Sequence, residues 1–327
     1  MRAVRPGHDR NRLRVLQAGR PGEARRGRRR SRAIGLPLRA CLELTAAMAI
    51  VGSSIVVGKI AVARVPVFLL SGLRFAVASV ILMTLVALLE RPLPRVAPRD
   101  VALLALQAFA GIFIFNVLLL YGLAFTSAGE GGIVTSTTPA VAATLAVIVL
   151  GERWSRARTL GVALAVVGML ALSVAGRGLE MRGPRPLLGN VLIFGAVVGE
   201  AVFVVCSRVA SRRLSPLVVA TAISALGFAM FLPVALLEVR AFPLSRLARE
   251  DWALVGYYSV FVTVVAFLLW ARGVARVPAS AASVFTGVLP ISALGLSHLV
   301  LRESVTVAHL LAATLVVAGI VVLARAN

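Results

Sequence analysis

From residue 40 onward the chain alternates long apolar runs with short polar punctuation, and the runs fall in one length class. A hydrocarbon core of about 30 Å needs roughly 20 apolar residues per helix. On that ruler the pattern predicts ten helical spans, near residues 42–60, 67–89, 101–124, 128–150, 159–176, 187–207, 216–238, 252–272, 279–301 and 306–324. The connectors are short and rich in Arg, Pro and Gly, as in Arg91-Pro92-Leu93-Pro94-Arg95 and Arg182-Gly183-Pro184-Arg185-Pro186. Such residues stop a helix and keep its ends in water. Within the spans, Gly161, Gly168, Gly195 and Gly199 suit close helix packing, which in lipid depends on small residues and dispersion. The predicted fold class is all-α integral membrane.

Composition agrees and narrows the field. The chain is 59% hydrophobic and only 15% charged, with a mean hydropathy of +0.95, which excludes an ordinary soluble enzyme. Two cysteines, Cys41 and Cys206, lie in or beside apolar stretches and read as packing residues rather than a disulfide framework. The net charge of +22 is concentrated: residues 1–39 hold thirteen arginines against Asp9 and Glu23. With little apolar periodicity, that segment is expected to be a disordered Arg-rich cytoplasmic tail. If the N-terminus is inside, the connectors on the inner side carry eleven arginines and those on the outer side eight. The bias places both termini in the cytoplasm.

Slid by 151 residues, positions 100–172 fall on 251–323 without a gap, and twenty of seventy-three positions are identical. Among them are Asp100/Asp251, Gly122/Gly273, Thr135/Thr286, Pro139/Pro290, Glu152/Glu303 and Gly168/Gly319. The first and sixth spans match more loosely, around Val51-Gly52 and Val198-Gly199. Self-similarity on this scale marks a duplication. Each half, 40–176 and 187–324, holds five spans. An odd number makes the second half enter the membrane from the opposite side, so the fold is ten transmembrane helices in two inverted repeats. That construction recurs in secondary transporters, with the site between the halves.

Several short motifs resemble a known family. Val51-Gly52-Ser53-Ser54 running to Lys59, then Leu73-Arg74-Phe75, then Thr126-Ser127-Ala128 ahead of Pro139 and Gly151-Glu152-Arg153, resemble a first EamA unit. Val277-Pro278-Ala279-Ser280-Ala281-Ala282 ahead of Pro290, then Leu301-Arg302-Glu303-Ser304, resemble a second. Over residues 40–324 the chain is similar to the drug/metabolite transporter superfamily. The resemblance implies a bacterial inner-membrane carrier in which spans one to four and six to nine line the cavity. It also implies small organic cargo, often moved outward.

The candidate chemistry is sparse. Glu200, mid-way along the sixth span, is a costly charge there and should face a cavity or a cation. Its readings are a proton-coupling carboxylate, an anchor for a substrate amine, or half of an interhelical ion pair. Asn116 is a lone amide in the third span, either a substrate contact or an interhelical bond. Arg74 and Lys59 are anion hooks, partners for Glu200, or snorkelling cations. Glu130 reads as a charge complementing a helix N-terminus. Thr135 opens the run Thr135-Ser136-Thr137-Thr138-Pro139, where proline frees a carbonyl and hydroxyls refill the bonds or offer them to a ligand. Pro139 and its repeat Pro290 are the hinge candidates. Tyr121 and Trp270 are expected to face these regions, Trp270 also as a gate, while Tyr257 and Tyr258 are expected at the membrane interface. Glu152 and Glu303 read as loop and helix-cap positions, and His298 as hydrogen-bonded packing.

No HExxH, GxSxG, phosphate loop or paired carboxylate motif occurs. No catalytic residue, metal site or cofactor is therefore assigned. The expected partners are a small-molecule substrate, the bilayer, and a proton or another coupling ion, with no nucleic acid. The leading function is a secondary transporter exporting an amino-acid-like or drug-like metabolite by alternating access. The alternatives are an integral-membrane enzyme or lipid-handling protein, and a regulatory membrane protein acting through its basic tail.

Overall fold

In a computed structural model of the chain, the described residues are 36–62, 64–90, 96–126, 134–175, 184–301 and 305–326. The basic tail, Glu130, Arg302 and Glu303 lie outside them, as does the Lys59 side chain. All described elements are helical, with no strand among the described residues, and they belong to one unit, Gly35–Asn327.

The helices follow the apolar runs. We number them α1 (Leu38–Val62), α2 (Val67–Leu89), α3 (Pro98–Ala108 continuing through Phe109–Ile114 and Phe115–Phe125), α4 (Thr138–Leu150) and α5 (Arg156–Ala175). The second half gives α6 (Pro186–Ala210), α7 (Pro216–Ala241), α8 (Arg249–Tyr257 continuing through Tyr258–Val265 and Ala266–Val274), α9 (Ala279–Ala282, Ser283–Gly287 and Val288–Leu301) and α10 (Val307–Ala326). Seven of these are long and apolar enough to cross a membrane: α2, α3, α6, α7, α8, α9 and α10. Proline opens α3, α6 and α7, where its missing N–H costs nothing. Gly151, at φ 65°, ends α4 in the left-handed conformation that glycine adopts freely.

Contacts between the halves are reciprocal. Helix α1 packs on α8 and α9, while α6 packs on α3 and α4; α2 pairs with α7 and α5 with α10. Residues identical between the halves sit at close backbone approaches in these contacts. A Cβ on Gly122 would stand 3.0 Å from the Gly189 carbonyl oxygen of α6, and one on Gly273 3.2 Å from the Ala40 carbonyl oxygen of α1. Gly168 and Gly319 both serve the α5–α10 seam, where a Cβ would stand 2.8 Å from the Ala312 oxygen and 2.6 Å from the Gly161 oxygen, respectively. Helices in lipid gain most from such backbone approach.

Charges at the helix ends repeat the pattern. Asp100, at the start of α3, pairs with Arg213 beyond α6 at 3.2 Å, and Asp251, at the start of α8, pairs with Arg64 beyond α1 at 2.6 Å. Glu90, just past α2, accepts from the Ser215 hydroxyl that caps α7, and Glu238 near the end of α7 accepts from the Leu69 N–H of α2 at 2.6 Å. Each carboxylate satisfies donors at a helix N-terminus or a cation at a helix end.

Two irregularities also recur. Both α3 and α8 widen into a π-helical stretch, Phe109–Ile114 and Tyr258–Val265. Ahead of Pro139 the helix breaks at Ser136-Thr137, and ahead of Pro290 helix α9 tightens into a 3-10 stretch, Ser283–Gly287. Both are places where prolines and hydroxyls compete with regular bonding; Thr137 Oγ1 donates to the Val134 oxygen at 2.7 Å and Thr286 Oγ1 to the Ser283 oxygen at 2.6 Å.

Candidate functional site

A cavity of about 240 Å³ lies between the two halves, lined by α1, α2, α3, α6, α8 and α9. Its wall is largely apolar: Met48 and Val51 from α1, Phe75 from α2, Phe115 from α3, Phe203 from α6, Val262 and Phe267 from α8, and Leu289 from α9. The polar groups on it are Ser54, Arg74, Asn116, Glu200 and the Trp270 indole. Apolar enclosure with few converging polar groups is the usual form of a small-molecule site. The π-helical stretches of α3 and α8 flank the cavity, and their repeat-related positions Gly111/Val262, Phe115/Ala266 and Asn116/Phe267 all line it.

The structure thus brings together Arg74, Asn116, Glu200 and Trp270. Glu200 lies fourteen residues into the 25-residue α6, near its middle. It accepts one hydrogen bond, from Thr138 Oγ1 of α4 at 3.1 Å. The Asn116 amide donates to the Ile112 carbonyl of its own helix at 2.6 Å. Trp270 is 4% exposed and forms the floor: its Nε1 donates to Ser207 Oγ at 3.2 Å, and the same hydroxyl accepts from Gln107 Nε2 at 2.8 Å.

Arg74 is held by rings. Its guanidinium carbon lies 4.5 Å from the Phe75 ring centroid and 5.8 Å from that of Tyr258. Tyr258 is fixed in turn, its hydroxyl donating to the Ser54 carbonyl at 2.5 Å. The Arg74 Nε is buried without a hydrogen-bond acceptor, and among the described residues Arg74 forms no ion pair. A cation in the bilayer interior costs about 2.5–3.5 kcal/mol on insertion scales. Contact with ring faces returns about 0.5–2 kcal/mol. The rings alone do not offset the full cost of burial.

Beyond the Trp270 floor the cavity is closed. Small and branched residues of α1, α4, α6, α8 and α9, among them Leu44, Ala146, Val205, Val274 and Phe285, form one buried cluster with Trp270. A polar layer follows. Glu152 accepts from the Ala279 and Ser280 N–H groups at 2.7 and 3.3 Å and from Ser280 Oγ at 2.5 Å, capping α9. Arg276 Nη1 meets Glu43 at 2.5 Å, and Arg208 Nη1 donates to the Val274 carbonyl at 2.7 Å. The cap reading of Glu152 holds in this geometry; the matching Glu303 lies outside the described residues.

Other expected residues are elsewhere. Tyr121 is 57% exposed on the outer face of α3, and Thr135 and Pro290 are half-buried away from the cavity. Pro139 is buried, its carbonyl accepting from Ser283 Oγ of α9 at 3.2 Å. Tyr258 is 7% exposed, and the hydroxyls of Tyr257 and Tyr258 both bond α1, at Ser53 and at the Ser54 carbonyl. The π-helical stretches and the Ser207–Gln107–Trp270 floor had no sequence signal beyond polar residues inside apolar runs. Among the described residues no group of three or more His, Cys, Asp or Glu is placed to hold a metal ion.

Comparison with known proteins agrees with this arrangement. Residues 38–174 and 187–325 each match the EamA-like transporter family. The chain is 44% identical over 283 residues to the uncharacterized transporter YetK of Bacillus subtilis, covering 86% of each chain. It is 27% identical to a probable terminal-alkyne amino-acid exporter of Streptantibioticus cattleyicolor, over 77% of this chain and 82% of that one. A solved crystal structure superposes with a TM-score of 0.73 at 21% identity, over 86% of this chain and 97% of that one, which speaks to the fold alone. With two family matches spanning most of its length and seven helices able to cross a bilayer, the chain is a multi-pass membrane protein belonging to the EamA-like transporter family.

Proposed function

We propose that the protein is a secondary transporter that exports a small amino-acid-like or drug-like metabolite across the bacterial inner membrane by alternating access. Ten membrane-spanning helices in two inverted five-helix repeats would carry it, with both termini cytoplasmic. The single observation behind the reading is the cavity between the halves, which presents Arg74, Asn116 and Glu200 on an apolar wall. The reciprocal helix pairings and end-capping carboxylates support two repeats related by a two-fold axis, because such copies make each contact twice, and five helices per repeat favour the inverted form. The amino-acid exporter among the relatives supports the cargo class.

In this reading the floor and the polar layer beyond it close the inner mouth, and the broken or tightened turns ahead of Pro139 and Pro290 are the hinges. Glu200, hydrogen-bonded to the helix that follows the Pro139 break, links cavity charge to hinge geometry and serves as the proton-coupling group or the anchor for a substrate amine. The experiment is reconstitution of the full chain in liposomes loaded with a broad metabolite panel, under a pH gradient of either sign. At least one compound moves faster than in protein-free vesicles; movement of none overturns the reading.

A further inference from the structure

We propose that Arg74 is the specificity-determining residue of the cavity, reading a carboxylate carried on an apolar body of about the size of leucine. The assignment rests on the transport reading above and gives its site a charge rule. Three observations carry it.

The guanidinium packs on rings. The rings of Phe75 and Tyr258 lie within cation–π range, and Tyr258 is pinned to the backbone of α1, so the packing engages ring faces rather than hydrogen-bond acceptors. Arg74 lines the cavity, and a guanidinium offers paired N–H donors to a planar carboxylate.

Among the described residues no carboxylate pairs with Arg74. The carboxylate on the cavity wall, Glu200, is engaged by Thr138, and it forms no ion pair with Arg74. Every other described arginine close to a carboxylate is paired at a helix end.

The remaining wall fits an apolar body. Phe115, Phe203, Phe267 and Leu289 surround a volume of about 240 Å³ and offer no further charge.

Binding can be read without transport. The chain has three tryptophans. Trp154 and Trp252 are exposed, so their replacement by Phe leaves Trp270 on the cavity floor as the reporter. Fluorescence titration of that full-length protein uses four compounds of one shape: leucine, 4-methylpentanoate, leucinamide and 3-methylbutylamine. The expected result is that the two carboxylates bind at least about ten-fold more tightly than the amide and the amine. Arg74→Met removes that difference, and Arg74→Lys keeps part of it because a point cation replaces the fork. Equal binding of all four, tighter binding of the amines, or no binding up to about 10 mM overturns the assignment. If Arg74→Met does not fold, the four-compound series on the parent protein decides alone. Discriminating binding with silent liposomes overturns transport and leaves the charge rule standing; transport without discrimination does the reverse.

Discussion

The ends of the helices and the cavity between them use the same charged residues in opposite ways. At the ends, carboxylates close on partners from the other half: Asp100 on Arg213, Asp251 on Arg64, Glu43 on Arg276, and Glu152 on the N-terminus of α9. In the cavity, Arg74 and Glu200 line one wall without pairing. Asp100 and Asp251 also respect the duplication, whereas the cavity charges do not. On the loose match of the first and sixth helices, Glu200 falls opposite Ser53, and no basic residue occupies the part of α7 that corresponds to Arg74. The lesson is that part of the frame follows the duplication, and the cavity charges stand outside it. Charges spent on the frame are satisfied within it, and charges left facing a cavity serve whatever enters.

That contrast can be broken in order of expected effect. The largest change is expected for Glu200→Gln, which keeps size and can still accept from Thr138 but cannot ionise. Proton-driven flux in liposomes should fall at least about 100-fold, as for loss of a coupling group, while the melting temperature moves little. Unchanged proton-linked flux would remove Glu200 from the coupling role. Next is Asp251→Asn, which weakens both the bond to Arg64 and the bond from the Ala248 N–H at 2.9 Å. Because Arg64 is 42% exposed, the expected loss is discounted to about 1–2 kcal/mol of stability, read by thermal unfolding in detergent, with flux per folded molecule preserved. Glu152→Gln should cost about 1 kcal/mol through the weakened α9 cap and raise leak through the closed mouth, measured as uncoupled proton entry. The smallest effect belongs to Glu250→Gln: its pair with Arg64 at 3.3 Å is 68% exposed on the acid side, and stability should change by less than about 0.5 kcal/mol.

The helical course was legible because apolar run length sets it, and the seven long apolar helices lie on predicted spans. Identical residues between the halves were legible as duplication, and the structure gives them work: Gly122 and Gly273 let helices touch, and Asp100 and Asp251 tie helix ends. Arg74 and Glu200 stood out as charges inside apolar runs. Facing was not legible. A helix that is apolar all round gives depth but no azimuth, so Asn116 and Tyr121, five residues apart on α3, were equal candidates, yet one lines the cavity and the other is exposed. The π-helical stretches were hidden too: residues of both line the cavity, and no proline or capping signal stands beside them. The partner of Tyr258 was equally hidden: its hydroxyl bonds a carbonyl of α1 inside the bundle, which interfacial preference alone does not give.

The most direct test of the division between frame and cavity is paired measurement of flux and melting temperature in one liposome series: the parent chain, Arg74→Met, Glu200→Gln and Asp251→Asn. The expected result is that the two cavity variants lose proton-driven flux with melting temperature nearly unchanged, and that Asp251→Asn melts lower yet keeps its flux per folded molecule. Cavity variants that transport normally, beside an end variant that loses flux at an unchanged melting temperature, would contradict it.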